Sequence, residues 1–191
     1  MFLRKTSVGR EPLAVAMSGV RMGERVLQVG LNEPRVAGAL AAKAGLTGES
    51  TIVVPDEATA DRARRAASDA GALAQVMVHS LERLSFDTGS FDVAVIHNRD
   101  GQLANPGTSV AALGECRRVL RSGGRVVVLE TGTRTGLGGM FRPRALVRAE
   151  TGEATIGRLE AAGFKAVRIL GDRDGYRFIE GLKVEATTRG S

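Results

Sequence analysis

The chain has 191 residues, of which 43% are hydrophobic and 25% are charged, and its formal net charge at pH 7 is +6. These values are typical of a globular protein and exclude a low-complexity or fibrous chain, and the length predicts one domain with a hydrophobic core. No apolar run approaches the ~20 residues of a transmembrane helix, and residues 1–5 lack the long apolar region of a secretory signal. We therefore expect a cytoplasmic protein that makes no membrane contact.

The basic residues are almost all arginine: 23 of the 27 are Arg and 4 are Lys. Arginine suits phosphate and carboxylate recognition, but a coding bias towards Arg, Ala and Gly explains the same composition. The basic residues are dispersed, and the absence of Trp together with a single Tyr offers few stacking platforms. RNA binding thus has only the net charge in its favour. The single cysteine, Cys116, excludes an internal disulfide, and its place within a predicted helix indicates a small buried apolar residue.

In chain order, the hydrophobic pattern predicts strands that alternate with helices and end in a hairpin. The predicted helices are residues 11–19, 35–44, 57–70, 109–121 and 153–162, and the predicted strands are residues 25–30, 50–54, 74–78, 91–96 and 125–130, followed by a hairpin of residues 164–170 and 176–184. The strands read as nearly continuous Val, Ile and Leu, as expected for strands buried on both faces. The pattern predicts a doubly wound α/β domain with a mainly parallel sheet and one antiparallel member. Residues 11–184 form its core, after a short segment of residues 1–10.

Three segments in order resemble the class I S-adenosylmethionine-dependent methyltransferases. They are residues 22–30 (MGERVLQVG), 84–95 (LSFDTGSFDVAV) and 115–125 (ECRRVLRSGGR). The last two are similar to the quinone-biosynthesis C-methyltransferase branch. The resemblance implies a Rossmann-like methyltransferase fold with a mostly parallel seven-stranded sheet and a C-terminal antiparallel hairpin. It also implies S-adenosylmethionine as cofactor and a small-molecule substrate.

The resemblance places a cofactor site at the carboxyl ends of the first strands, where the turn after the first strand packs its backbone against the methionine part of the cofactor. The cofactor-binding residues that it implies are Gln28, Gly30, Asn32, Asp56, Ser80, Leu81 and His97. Gly30 fits a strand-to-helix turn whatever binds there. Asn32 and Asp56 are also suited to capping the helices that follow them, and we favour the caps.

Several of these positions depart from the family pattern, so the cofactor motif is degenerate. In the family an acid ends the first strand, glycines follow it, one acid holds the ribose and another meets the adenine. The residues at those positions here are Gln28, Asn32 and Pro34, Val54 or Pro55, and Ser80. Asp56 follows the ribose position closely enough to substitute for its acid.

His97 and Asn98 end the fourth predicted strand, where they face the crevice that a substrate would occupy. The histidine is the residue of the two that can titrate near neutral pH. With an ordinary pKa of ~6.5 it is the candidate catalytic residue, acting as a general base. The alternative is a polar surface residue at a strand end. His79, beside Ser80, either stacks on a ring of the cofactor or is a structural histidine. Two histidines and one cysteine, widely spaced, match no zinc pattern.

Four arginines after the fifth strand either recognise an anionic substrate or RNA phosphate or form a solvated loop; they are Arg134, Arg142, Arg144 and Arg148. Because only about ten residues precede the first predicted helix, the pocket is either open or completed by a second subunit in a homodimer. Two functions remain. One is an active methyltransferase with an atypical cofactor pocket, and the other is a non-catalytic relative that serves as a binding or assembly module.

Overall fold

The computed structural model describes residues 10–99, 106–131, 144–173 and 175–185. The helices are α1 (Arg10–Ser18), α2 (Pro34–Ala44), α3 (Glu57–Asp69), α4 (Pro106–Val119) and α5 (Arg144–Ala161). The strands are β1 (Arg25–Val29), β2 (Glu49–Val54), β3 (Gln75–Val78), β4 (Phe91–Arg99), β5 (Leu120–Thr131), β6 (Lys165–Arg173) and β7 (Tyr176–Leu182). All the predicted elements are present, in the predicted order.

The strands form one seven-stranded sheet in the order β3-β2-β1-β4-β5-β7-β6. Strands β1 to β5 pair in parallel, and β7 pairs antiparallel with both β5 and β6. The predicted mostly parallel sheet with one antiparallel member is therefore confirmed. The strand order reverses between β1 and β4, and in open α/β sheets ligands bind in the crevice at the carboxyl ends of such neighbours.

Helices cover both faces of the sheet, which explains why the central strands are apolar on both sides. On one face α1 and α2 pack over alternate strand residues such as Val26, Val95 and Val127. On the other face the opposite residues, such as Leu27 and Val128, pack with α4 and α5 through Leu113 and Leu159. The residues at the strand ends alternate between the two faces in the same way, so only side chains on the same face can contact each other.

Two element boundaries differ from the predictions by five residues or more. Strand β5 begins at Leu120 rather than at Arg125, because Leu120 pairs with Phe91 ahead of a register shift in the β4–β5 ladder. Gly123, in the segment predicted as a break, has a φ of +70°. Helix α5 begins at Arg144 rather than at Glu153. In the part of the chain that the structure describes, none of the helices has the length and hydropathy needed to cross a bilayer.

Candidate functional site

The turn after β1 depends on a glycine. Gly30 has a φ of +77°, a backbone conformation that residues other than glycine rarely adopt. Its N–H donates to the Val53 carbonyl at 2.8 Å, and a Cβ at this position would lie 3.4 Å from the His97 carbonyl oxygen. The predicted Gly30 turn therefore sits at the carboxyl ends of β1, β2 and β4.

Helix α2 starts without a side-chain cap. Its N-cap residue is Glu33, which makes no capping hydrogen bond, and Pro34 occupies the first helical turn. The prediction that Asn32 caps this helix is wrong. Asn32 Nδ2 instead donates to Thr131 Oγ1 at 2.7 Å, so its side chain crosses the end of β4 to reach β5. An uncapped helix N-terminus presents backbone N–H groups and a positive dipole end, which suit a carboxylate.

Gln28 lies beneath this turn and is fully buried. Its Nε2 donates to the Ala37 carbonyl at 3.0 Å, and its Oε1 lies 3.0 Å from His97 Nε2. Both amide atoms of the enclosed Gln28 are thus engaged within the protein, where they hold α2 and His97 in place. The predicted cofactor role of Gln28 stays a prediction.

His97 is 4% exposed, so the alternative of a surface histidine is wrong. Burial lowers the pKa of His97 from 6.5 to about 4, which makes the ring neutral at pH 7. Gln28 Oε1 can only accept, so His97 Nε2 carries the proton and Nδ1 is the basic nitrogen. The low pKa makes His97 a weak base, and a catalytic role for it stays a prediction.

Asp56 caps helix α3, as predicted. One carboxylate oxygen accepts from the Thr59 N–H at 2.8 Å and the other from Thr59 Oγ1 at 3.1 Å. The hydrogen bond from the Thr59 backbone is the main cause of the lowered pKa of Asp56. Val54, one of the two residues that the resemblance places at the ribose acid, is completely buried. The Asp56 carboxylate at the carboxyl end of β2 is thus exposed to solvent and already caps a helix.

The residues after β3 form a polar turn. Ser80 is exposed, and its Oγ accepts from the Glu82 N–H at 3.3 Å. Leu81 is half-buried against the core below. His79 Nε2 lies 2.5 Å from Ser85 Oγ, a contact that supports the structural interpretation of His79. The predicted cofactor roles of Ser80 and Leu81 stay predictions.

A buried polar cluster lies on the opposite face of the sheet, again at the carboxyl ends of the strands. It contains Asn98, which was predicted to face the crevice, together with residues that were not predicted. Asn98 Nδ2 donates to Glu130 Oε1 at 3.1 Å, and Thr155 Oγ1 on α5 donates to the same oxygen. Arg177 Nη1 lies 3.9 Å from Glu130 Oε2 and its Nη2 pairs with Asp172 at 3.2 Å. Burial raises the pKa of Glu130, against the effects of Thr155 and Arg177. The sequence did contain a signal, because Glu130 is a charged residue at the end of a buried strand.

The remaining candidates contribute less. Cys116 is buried and burial raises the pKa of its thiol to about 12, consistent with the predicted apolar role. Arg134 and Arg142 lie outside the described residues. Arg144 and Arg148 begin α5, but the structure does not describe their side chains, so the anion-binding hypothesis stays a prediction. Within the described ranges, no group of three or more His, Cys, Asp or Glu side chains could hold a metal ion.

The fold and this edge of the sheet agree with a comparison against protein families. The model of the methyltransferase domain matches residues 26–124, which run from β1 into β5 and include the Gly30 turn, Gln28, His97 and Asn98. The chain belongs to the methyltransferase domain family. Of the predicted site residues in this family domain, Gly30 and His97 meet at the turn, whereas Asp56 and Ser80 are engaged in local hydrogen bonds.

Curated relatives of this methyltransferase-family chain are C-methyltransferases of quinone biosynthesis. The ubiquinone/menaquinone biosynthesis C-methyltransferase UbiE of Cupriavidus necator is 34% identical over 116 residues, which are 61% of this chain and 46% of the relative. The corresponding protein of Ralstonia pickettii is also 34% identical over 116 residues, with the same coverage. The chain spans about half the length of the curated relatives it matches.

Solved structures support the same fold at lower identity. The S-adenosylmethionine-dependent methyltransferase from Aquifex aeolicus superposes with a TM-score of 0.68 at 18% identity, covering 91% of this chain and 89% of that one. The [4+2]-cyclase SpnF superposes with a TM-score of 0.64 at 18% identity, covering 92% of this chain and 80% of that one. These similarities establish the Rossmann-like methyltransferase fold, and a cyclase among them illustrates that this fold does not fix the reaction.

Proposed function

We propose that the chain binds S-adenosylmethionine at the turn between β1 and α2 and catalyses methyl transfer to a small molecule. The observation that carries the proposal is the match of the methyltransferase domain to residues 26–124 together with the left-handed Gly30 turn at the carboxyl end of β1. Fold similarity alone would not suffice, because related folds carry other reactions.

The residues present fit the methionine half of the cofactor. Gly30 brings no side chain of its own to the place where the turn faces the end of β4. The N-terminus of α2 lacks a side-chain cap, so the N–H groups of its first turn suit the methionine carboxylate. Bound there, S-adenosylmethionine supplies a methyl group on a sulfonium, which is transferred by in-line displacement and depends chiefly on positioning.

The residues that would meet the nucleoside half of the cofactor carry less charge than the residues that the resemblance implies at these positions. Val54 or Pro55 stands where the resemblance places the ribose acid, and the Asp56 carboxylate accepts hydrogen bonds from Thr59. Ser80 and Leu81 follow β3, where the adenine would lie. We propose that this half is held by backbone groups and apolar contacts, with Asp56 contributing no more than a solvent-exposed hydrogen bond. Such a site is compatible with micromolar binding.

The chain's own residues keep the turn rigid. Gln28 ties β1 to α2 through the Ala37 carbonyl and fixes the proton of His97 on Nε2. Asn32 ties the loop to Thr131 across the end of β4. These bonds hold the β1 turn in one position relative to β4 and β5, where a methyl acceptor would sit. Positioning of this kind is the main contribution that a protein makes to an in-line methyl transfer.

The names of the curated relatives suggest the acceptor class. They act in ubiquinone and menaquinone biosynthesis, so we propose that the acceptor is a hydroxylated aromatic ring of the quinol type and that the bond formed is to carbon. No membrane-spanning helix is present in the described part of the chain. A homodimer and a cytoplasmic location remain proposals that accompany this function.

Incubation with tritiated S-adenosylmethionine and 1,4-naphthohydroquinone tests the proposal. We expect tritium in the organic extract and S-adenosylhomocysteine in equal amount. The Gly30→Val variant should lose this transfer, because a side chain at this φ strains the turn that faces the cofactor. Gly114→Ala is the matched control, since Gly114 is an exposed helical glycine and an added Cβ there would have no atom within 4 Å. Absence of labelled product with quinols and simpler phenols alike would contradict the proposed activity.

A further inference from the structure

Asn98 and Glu130 face each other at the carboxyl edge of the sheet. They are register partners and the penultimate residues of β4 and β5. His97, the neighbour of Asn98, contributes the carbonyl oxygen that lies against the Gly30 turn. The Asn98–Glu130 pair therefore adjoins the proposed cofactor turn, on the face of the sheet covered by α5.

The hydrogen bonds of this pair leave one oxygen unpaired. Glu130 Oε1 accepts from Asn98 Nδ2 and from Thr155 Oγ1. A carboxylate only accepts, so the Asn98 amide must turn its nitrogen towards Glu130 and its oxygen away. Asn98 is 7% exposed, and its Oδ1 is buried with no hydrogen-bond partner among the described residues. Gln28, the buried amide of the neighbouring strand β1, has both of its amide atoms engaged.

The charges around the pair favour a neutral partner. Glu130 faces Arg177 on β7 and interacts with Arg158 on α5, and Arg177 also pairs with Asp172 on β6. Among the side chains that the structure describes around the pair, these two acids and two arginines balance each other in charge. A buried acceptor oxygen in a neutral setting is complementary to a hydroxyl or N–H donor that brings no charge.

We propose that Asn98 Oδ1 is the hydrogen-bond acceptor for a hydroxyl group of the methyl acceptor, with Glu130 and Thr155 holding the amide in the required orientation. That the hydroxyl belongs to a methyl acceptor rests on the proposed function, whereas the hydroxyl site itself does not. Asn98 is then a specificity residue that distinguishes a phenolic ring from its O-methylated or deoxygenated analogue. Glu130 and Thr155 are positioning residues.

The test compares 1-naphthol with 1-methoxynaphthalene, which has a similar ring and no O–H donor. Binding to the uniformly ¹⁵N-labelled protein is followed through the Asn98 side-chain amide in NMR spectra, without cofactor. We expect 1-naphthol to shift this resonance and to bind about tenfold more tightly than its methyl ether. In Asn98→Leu the two ligands should bind within about twofold of each other.

Two further variants keep the result interpretable. Ser50→Ala removes a different buried oxygen without a partner among the described residues, the Ser50 hydroxyl at the far end of the sheet on β2. This variant should retain the preference for 1-naphthol. Glu130→Gln keeps the size of the side chain but frees the Asn98 amide to rotate, and should reduce the preference even if Asn98→Leu fails to fold.

Equal affinity of the two ligands for the wild-type protein, or no detectable binding of either, would overturn the inference. Because no cofactor is present, this result is independent of the methyl-transfer assay. A preference for 1-naphthol without methyl transfer would leave the hydroxyl site standing and remove the proposed activity. Methyl transfer without a preference for 1-naphthol would support the proposed activity and overturn the hydroxyl site.

Discussion

Lowering the pH from about 7.5 to about 5 is expected to cost the protein about 2 kcal/mol of unfolding free energy through His97 alone. The folded-state pKa of this buried ring is about 4, against 6.5 for a free histidine. Between these two values the unfolded chain binds a proton that the folded chain does not. Stability therefore falls as the pH decreases through this window, and the loss levels off below the folded pKa.

The control is His97→Gln, which keeps a polar side chain next to Gln28 but cannot titrate. Denaturant unfolding of both proteins at several pH values gives the difference that belongs to His97. Carboxyl groups contribute outside this window or with the opposite sign. Hydrogen bonds from Arg25 and Arg121 outweigh burial and lower the pKa of Asp92, so the stability that Asp92 contributes is lost at a pH below this window. The raised pKa of Glu130 has the opposite effect, because protonation of Glu130 stabilises the folded state as the pH falls. If the free energy of unfolding depends on pH in the same way in both proteins, His97 is not held neutral by burial.

Replacing Gly38 by alanine should destabilise the protein by about 3 kcal/mol. Gly38 lies in the middle of α2, and a Cβ there would overlap the Ala66 carbonyl oxygen on α3, with the Ala66 carbonyl carbon at 2.8 Å and Ala70 Cβ at 3.2 Å. The obstacle is largely helix backbone, which cannot rotate away as a side chain can. The two helices must therefore move apart, and α2 carries the uncapped N-terminus of the proposed site.

Gly114→Ala is the matched control for this effect. Gly114 also lies within a helix, α4, but a Cβ there meets nothing within 4 Å. The gain in helix propensity should stabilise that variant by up to about 1 kcal/mol. Urea unfolding of the three proteins measures the difference. If Gly38→Ala unfolds at the same urea concentration as the wild type, α2 and α3 do not approach as closely as the structure indicates.

The sequence predicts the architecture well because the relevant signals are local. The continuous apolar runs of the central strands, the small-residue helix α2 and the hairpin around residues 171–175 each follow from neighbours in the chain. The capping role of Asp56 is predictable for the same reason, since the Thr59 N–H that it accepts from is three residues away.

The details of the site depend on contacts between distant residues, and these could not be predicted from local pattern. Asn32 has the residue type of a helix cap, yet it bonds to Thr131, 99 positions along the chain. Gln28 and His97 are 69 positions apart, and their pairing appears only when β1 and β4 become neighbours. The Asn98–Glu130 pair needs the register of β4 and β5 as well.

The uncharged residues around the turn after β1 have a physical role in the packing beneath it. Gln28 is buried and bridges β1 to α2 and to His97. Pro34 fits the first turn of α2, where a backbone donor is not needed within the helix. These residues preserve the shape of the turn around Gly30, whereas the positions proposed to meet the nucleoside half, Val54 or Pro55 and Ser80, carry no charge. We therefore expect cofactor binding that depends on the turn more than on carboxylates.

Calorimetric titration of the protein with S-adenosylhomocysteine tests this central claim most directly. We expect saturable binding at micromolar concentration, unchanged within about threefold in Asp56→Ser, which retains a capping oxygen and removes the carboxylate. Gly30→Val should abolish the binding. Absence of heat and of thermal stabilisation by millimolar S-adenosylhomocysteine in the wild-type protein would contradict the claim and favour a non-catalytic binding module.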